Sequence, residues 1–283
     1  MGMRYPFAWL VALSIGCLAA TVARGGEEVS FPDLGEAVPG HEGITYLDLA
    51  RMVVPDLARD ETGSYSGSDP VAMRHIQGPK SGGTPPQRSS FPFAGALPVK
   101  SGGKKRLLLL LDLNTVETQA EGYAALALYD LAGKPALLDV ANVASDMQTY
   151  FRSPARIAAG TGDDAVATMS MHANSSQAYV TTQLILLHDD RLEPIDTIFT
   201  FDNQGCGWRQ SQQLDLAATP GTPFGPIVAT VTEERSLTGD DCGEEPPPAF
   251  NRTITVTYRW NGARYEPDSD AFDKLAADNE KRF

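Results

Sequence analysis

The chain has 283 residues and a formal net charge of −13, with 36 Asp and Glu against 23 Lys and Arg. This length is enough for one large β domain or two small ones. The acidic excess argues against binding to nucleic acid or directly to anionic membranes, because like charges repel. It favours basic partners or cations, although a negative charge also keeps a protein soluble.

The first 23 residues have the pattern of a signal peptide. Arg4 gives a positive start, Ala8–Ala20 is an apolar run too short to span a membrane comfortably, and Thr21-Val22-Ala23 is a small-residue cleavage site. We therefore predict an exported protein, periplasmic or extracellular. Two alternatives stay open. Cys17, preceded by Ser14-Ile15-Gly16, partly resembles a bacterial lipoprotein box, and the apolar run could instead be retained as an anchor.

The mature chain divides into an N-terminal extension, residues 24–88, and a β domain, residues 89–283. Tyr46–Arg59 has apolar residues at helical spacing, interrupted by Pro55, which predicts a short helix packed on the β core. Asp60–Gln87 is rich in Gly, Ser and Pro, a composition typical of a linker. No further segment approaches the ~20 apolar residues of a transmembrane helix.

Three predicted hairpins organise the β domain. Each has two strands around a two-residue turn, and a further candidate strand precedes each one, giving three meanders of three strands. They are either an internal repeat or alike by physics alone. In chain order they are Gly122–Val143 turning at Ala132-Gly133, Ala178–Asp202 turning at Asp189-Asp190, and Phe250–Asp270 turning at Asn261-Gly262.

Apolar patterning places these strands in a core. Leu107–Leu111 and Leu184–Leu187 are apolar on both faces, as in strands inside a sheet or between layers. Ile195, Phe199 and Phe201 alternate, which predicts that they share a buried face. The fold class is therefore all-β, with antiparallel meanders in a propeller-like or two-layer sandwich arrangement, a short N-terminal helix and a C-terminal helical tail.

Two cysteines remain after removal of the signal peptide. Cys206 and Cys242 each lie in a glycine-containing loop, and an even pair in an exported chain predicts one disulfide. Closing a loop of this size stabilises a fold by roughly 3–4 kcal/mol in the chain-entropy model. A redox or metal pair is disfavoured, because no further Cys or His lies close to either one.

The best candidate for a metal site is an acidic segment after the leucine run. Asp112, Asn114, Glu117 and Glu121 offer oxygen ligands of the kind that calcium prefers. The segment lacks a central glycine and Val116 interrupts it, so this is a weak calcium candidate. A plain acidic connection is the alternative.

No catalytic motif is present in the sequence. Ser101-Gly102-Gly103-Lys104 matches SxxK, but Gly-Gly opposes the helix that would bring Ser and Lys together. Asp139, Asp196 and Asp268 hold equivalent hairpin positions and would make a carboxylate site only by converging in a cleft. His188, beside the Asp189-Asp190 turn, is a weaker cation candidate.

One segment carries a family resemblance. Asp112–Asp139 contains a strand, an acidic loop, a Tyr-led strand, a two-residue turn and a Leu-Leu-Asp strand, and it resembles one unit of FG-GAP or VCBS-type repeats. Tyr258–Tyr265 is similar to hairpins of uncharacterised secreted proteobacterial proteins. The resemblance covers about half of the mature chain and implies propeller-like units, although three are too few to close a normal propeller. It assigns no activity to any residue.

These observations leave two functional hypotheses. The first is a non-catalytic envelope protein that binds a protein or a glycan through its loops, because a β scaffold with long loops carries no catalytic constellation. The second is a secreted hydrolase that depends on carboxylates or calcium. Aromatic side chains gathered on one exposed face would favour the first hypothesis.

We predict that the exported protein starts at Arg24 and contains no free thiol. Its intact mass should equal that of residues 24–283 minus two hydrogens, since one disulfide removes two protons and two electrons. A mass that begins at Cys17 with an added lipid, or two titratable thiols in the unfolded protein, would contradict the prediction.

Overall fold

The computed structural model shows a mostly β chain with three sheets and two helices, which confirms the predicted fold class. It describes residues 29–61, 63–79, 81, 85, 89–91, 94–113, 122–173, 177–219, 221–240, 243 and 245–282. In chain order the elements are α1 (Tyr46–Ala50), β1 (Ala58–Arg59), β2 (Tyr65–Gly67), β3 (Arg74–His75), β4 (Ser89–Phe91), β5 (Gly95–Ser101), β6 (Lys104–Asp112), β7 (Ala124–Asp130), β8 (Ala136–Asn142), β9 (Thr149–Ala158), β10 (Asp164–Ala173), β11 (Gln177–His188), β12 (Arg191–Gly205), β13 (Trp208–Ala218), β14 (Ile227–Leu237), β15 (Phe250–Trp260), β16 (Tyr265–Pro267) and α2 (Ala271–Glu280).

The sheets follow chain order almost throughout. A five-stranded sheet has the order β3-β8-β7-β6-β5, and an eight-stranded sheet runs β16-β15-β14-β13-β12-β11-β10-β9. A small third sheet joins β1, β2 and β4. All pairs are antiparallel except β3 with β8. The second and third predicted meanders are parts of one continuous sheet, so they are not separate propeller blades.

The eight-stranded sheet bends between β12 and β13. These two strands share only four residue pairs, from Asp202↔Ser211 to Gly205↔Trp208. One core contains Leu184 and Ile198 from β11 and β12 together with Val256 from β15 and Phe272 from α2. The two halves of the sheet, β9–β12 and β13–β16, therefore enclose a common apolar layer that α2 helps to fill.

A second apolar layer lies between the five-stranded sheet and β9–β12. Leu108 and Leu128 of the first sheet pack in one cluster with Val166 and Ile185 of the second. On the opposite face of the five-stranded sheet, the Tyr129 hydroxyl donates to the Leu49 carbonyl of α1 at 2.9 Å. The leucine run is thus a buried central strand, as predicted, with apolar layers on both faces.

Helix α1 is shorter than predicted. It begins after Thr45, whose hydroxyl accepts a hydrogen bond from the Asp48 amide while Asp48 accepts one from the Thr45 amide. The helix ends at Ala50 rather than Arg59, and turns follow it. Pro55 disfavours helical geometry at Val54, which prevents the helix from continuing to Arg59. Val54 nevertheless stays fully buried in the turns that follow. Part of the predicted linker is also structured, as β2 and β3.

The central turn forms as predicted. Asp189 and Asp190 have φ of 49° and 59°, and His188 pairs with Arg191. Two successive residues with positive φ are the signature of a type I′ turn.

The two other turns are longer than predicted. Trp260 pairs with Tyr265, so four residues connect β15 to β16, and of the pair Asn261-Gly262 only the glycine has positive φ. The Asn261 side-chain oxygen instead accepts hydrogen bonds from the backbone amides of residues 263 and 264. Five residues, 131–135, connect β7 to β8.

The buried face of β12 was predicted incorrectly in part. Ile198 is fully buried on the face opposite to Phe199, while Phe199 is half-buried. The register between β11 and β12 shifts by one residue here. Leu184 pairs with Asp196 and Ile185 pairs with Pro194, so residue 195 has no paired residue on β11. Because β12 lies between two layers, both of its faces carry packed side chains.

Arg106, on β6, binds the central turn to the five-stranded sheet. Its side chain is 3% exposed, and Nε and Nη2 donate to the two carboxylate oxygens of Asp190 at 2.8 and 2.9 Å. Nη1 lies 3.0 Å from Asp130 of β7. The Arg106 guanidinium lowers the pKa of Asp190 by hydrogen bonding to its charged form. The Asp190 amide also donates to Ser101 Oγ at 3.0 Å.

We expect Arg106→Gln to destabilise the protein by about 3 kcal/mol, because it leaves two partly buried carboxylates without their cation. Urea unfolding followed by circular dichroism measures the change. The matched control is Arg264→Gln, since the Arg264 side chain is 74% exposed and pairs only with exposed Glu266. The control should change stability by no more than about 0.5 kcal/mol, and equal effects of the two variants would contradict the prediction.

Candidate functional site

The face of β10 and β11 that packs on the five-stranded sheet changes from apolar to polar along its length. Residues opposite each other in an antiparallel pair share a face. Starting from the apolar pair Val166↔Ile185, the same face continues with Thr168↔Gln183, Ser170↔Thr181 and His172↔Tyr179. We call this polar part, together with residues 145–149 that pack against it, the polar end.

Asp146 is the centre of the polar end. It is 5% exposed and accepts hydrogen bonds from the Tyr179 hydroxyl at 2.7 Å and the Met147 amide at 2.6 Å. His172 Nδ1 lies 3.4 Å from Asp146 Oδ1, the oxygen that also accepts from the Met147 amide. The His172 and Tyr179 rings stack with centroids 4.8 Å apart and planes 3° from parallel. One buried carboxylate thus orients two stacked rings.

Tyr179 keeps its proton under all ordinary conditions. Burial, and then the hydrogen bond to the Asp146 carboxylate, raise the pKa of Tyr179 to about 12. The phenol is therefore a fixed donor to Asp146 near neutral pH.

A chain of hydrogen bonds continues from Ser145, the residue before Asp146. The Gln183 amide donates to Ser145 Oγ at 2.6 Å, and the Thr197 hydroxyl donates to Gln183 Oε1 at 2.8 Å. Gln77, from the segment after β3, donates to Thr197 Oγ1 at 2.5 Å. These bonds fix the position of Gln183, which is buried, because loss of a partner would leave its amide desolvated.

Two buried polar atoms of this layer have no hydrogen-bond partner among the residues that the structure describes. They are Thr168 Oγ1 and Asn142 Nδ2. Buried polar groups are normally satisfied.

The weak calcium candidate begins next to the polar end. Asp112 is the last residue of β6 and accepts a hydrogen bond from the Thr149 amide at 3.2 Å. Asn114, Glu117 and Glu121 lie outside the described residues. Calcium binding by this segment stays a prediction, and no group of three acidic, His or Cys side chains suited to a metal occurs elsewhere in the described ranges.

The three hairpin aspartates do not form one site. Asp139 is bound by Arg74 at 2.6 and 2.8 Å. Asp196 accepts from the Tyr258 hydroxyl and is half-buried, whereas Asp268 is exposed and accepts from the amide of residue 257. Each carboxylate has its own structural partner, so the convergence required for a carboxylate cleft is absent among them.

Cation binding at His188 stays a prediction. Both carboxylate oxygens of Asp190 accept from Arg106. His188 lies 3.6 Å from Asp189 and 3.7 Å from Asp163, and it makes edge contacts with the rings of Phe224 and Trp260.

The cysteine predictions fall partly outside the described chain. Cys206 lies in the turn between β12 and β13, and Cys242 and Cys17 are not among the described residues. The Cys206–Cys242 disulfide stays a prediction.

Comparison with known proteins identified no relative. No protein-family model, curated protein or solved structure matches this chain. The resemblance to FG-GAP or VCBS-type units therefore stays a prediction. Within the described residues, neither helix has the length and apolar character needed to cross a bilayer.

The structure predicts opposite pH effects for two of the hairpin aspartates. Burial raises the pKa of Asp196 above its ordinary value of 3.8, so its charged form destabilises the native state as the pH rises through that shifted range. Asp196→Asn, which keeps an acceptor for Tyr258, should raise stability at pH 7, and the gain should shrink as the pH falls toward 3.8.

Asp268→Asn is the matched control with the opposite sign. The hydrogen bond from the Thr257 amide lowers the pKa of Asp268, so its charge stabilises the native state above the unfolded pKa and that contribution is lost on acidification. This variant should lose stability at pH 7 and approach the parent protein at low pH. Urea unfolding at several pH values measures both, and parallel curves for the two variants would contradict the assignment.

Proposed function

We propose that this is an exported, non-catalytic protein of the cell envelope that binds a glycan at the polar end. The observation that carries the proposal is the stacked pair of His172 and Tyr179, held by buried Asp146 beside a row of hydroxyl and amide groups. Export is supported by the pattern of residues 1–23.

The chemistry of the polar end suits a sugar. A pyranose presents hydroxyls that both donate and accept, together with apolar C–H faces. The half-buried His172, Tyr179 and Thr197 side chains can face a ligand, while buried Asp146 and Gln183 hold these groups in place through hydrogen bonds. Aromatic rings provide apolar surface for the C–H faces. Specificity in such sites comes from a few fixed polar groups.

The placement of these groups on strands supports binding without catalysis. His172 and Tyr179 are paired residues of β10 and β11, and their positions follow from the sheet register. Strand-borne side chains held by hydrogen bonds are pre-organised, which lowers the entropic cost of binding.

One contact favours the second candidate function, a carboxylate-dependent hydrolase. Asp146 Oδ1 lies 3.4 Å from His172 Nδ1, and the His172 side chain is 32% exposed. A carboxylate that orients a partly exposed imidazole is the arrangement of a general base. Turnover of a bound oligosaccharide that is abolished by His172→Gln would establish this function instead.

We predict that Tyr179→Ala weakens oligosaccharide binding at least tenfold. Titration calorimetry of the mature protein against neutral trisaccharides of glucose, N-acetylglucosamine and mannose provides the measurement. The matched control is Tyr150→Ala, because the Tyr150 hydroxyl bonds only to Gln148 among the described residues. The proposal fails if no trisaccharide binds, or if the two variants bind equally well.

A further inference from the structure

A cationic cleft occurs where the end of α2 crosses β14 and β15. It is an open depression with a volume of about 540 Å³. In the strand register, Arg235 pairs with Phe250 and Glu233 pairs with Arg252. The cleft is lined by Arg235, Phe250, Arg252, Asp278, Lys281 and Arg282.

Arg235 is positioned in this cleft by neutral groups. Its Nε and Nη2 donate to Gln210 Oε1 at 3.0 and 2.7 Å, and its guanidinium lies over the Phe250 ring at 4.8 Å and the Trp208 ring at 5.8 Å. In the described part of the chain, no carboxylate lies within 4 Å of Arg235. The Arg235 guanidinium is therefore held in one orientation, and no ion pair with a described carboxylate neutralises its charge.

The other cations share too few carboxylates. Glu233, fully buried beneath the cleft, lies 2.6 Å from Arg252 and 3.9 Å from Arg282. Asp278 pairs with Lys281 at 2.9 Å. Four cations thus face two carboxylates, and one of these two is desolvated and used to hold Arg252 in place.

The negative charge of the rest of the chain limits the size of anion that the cleft can bind. The whole chain has a net charge of −13, so a long polyanion would be repelled by the rest of the surface. A compact anion would meet only the local excess of positive charge. Planar guanidinium groups match carboxylate and phosphate oxygens in pairs, and the Phe250 ring in the cleft lining offers apolar surface.

We propose that this cleft binds a small organic oxyanion, with the charged group on Arg235 and Arg282 and an apolar or ring part against Phe250. This inference is independent of glycan binding at the polar end. Either site can exist without the other.

Titration calorimetry with phenyl phosphate and benzoate at constant ionic strength tests the proposal, with phenol as the neutral probe. We expect at least one of the two anions to bind and phenol not to bind. Preference for phenyl phosphate or for benzoate then distinguishes a phosphate ligand from a carboxylate ligand.

Arg235→Gln and Arg282→Gln should each weaken that binding at least tenfold, while the control Arg264→Gln should leave it unchanged. Arg282 lies after the end of α2, where a substitution disturbs the fold least. Arg282→Gln therefore still tests the proposal if Arg235→Gln impairs folding. Absence of binding by both anions, or equal binding by Arg282→Gln and Arg264→Gln, would overturn the proposal.

Discussion

The contact between Arg106 and the central turn fixes how the two main sheets face each other. The guanidinium is almost fully buried and joins Asp130, at the end of β7, to Asp190, in the turn between β11 and β12. A pair of this kind is costly to break, because it would leave charge in a poorly solvated place. It therefore specifies one docking position of the hairpin.

With one end of the hairpin fastened, the length of the strands determines where the other end lies. Tyr179 is nine residues before His188 on β11, which corresponds to roughly 30 Å of extended chain. The apolar layer fills the part near the turn, and the polar end lies at the far part of the same face. The proposed binding site is thus separated from the contacts that hold the sheets together.

The sequence predicted what depends on local pattern. The leucine run of β6, the strands of the central hairpin and the Asp189-Asp190 turn follow from alternation and from the few residues that accept positive φ. It failed where packing overrides local preference. The Asn261-Gly262 segment became a longer loop because Asn261 bonds to later amides, and the register shift in β12 reversed its faces.

Neither candidate site could be derived from spacing. Asp146 lies in a loop, 26 residues before His172 and 33 before Tyr179, and only the strand register brings the three together. The polar alternation of Thr168, Ser170 and His172 after an apolar start was the available signal. The cationic cleft likewise combines β14, β15 and the end of α2, which contact one another only in the folded chain.

Nuclear magnetic resonance mapping of oligosaccharide binding to the isotope-labelled mature protein tests the central claim most directly. The account predicts that a trisaccharide perturbs the backbone amides of Ser145–Met147, His172 and Tyr179, and that the amides around Arg235 and Arg282 stay unchanged. Perturbations confined to the cationic cleft, or the absence of any perturbation at saturating sugar, would contradict it.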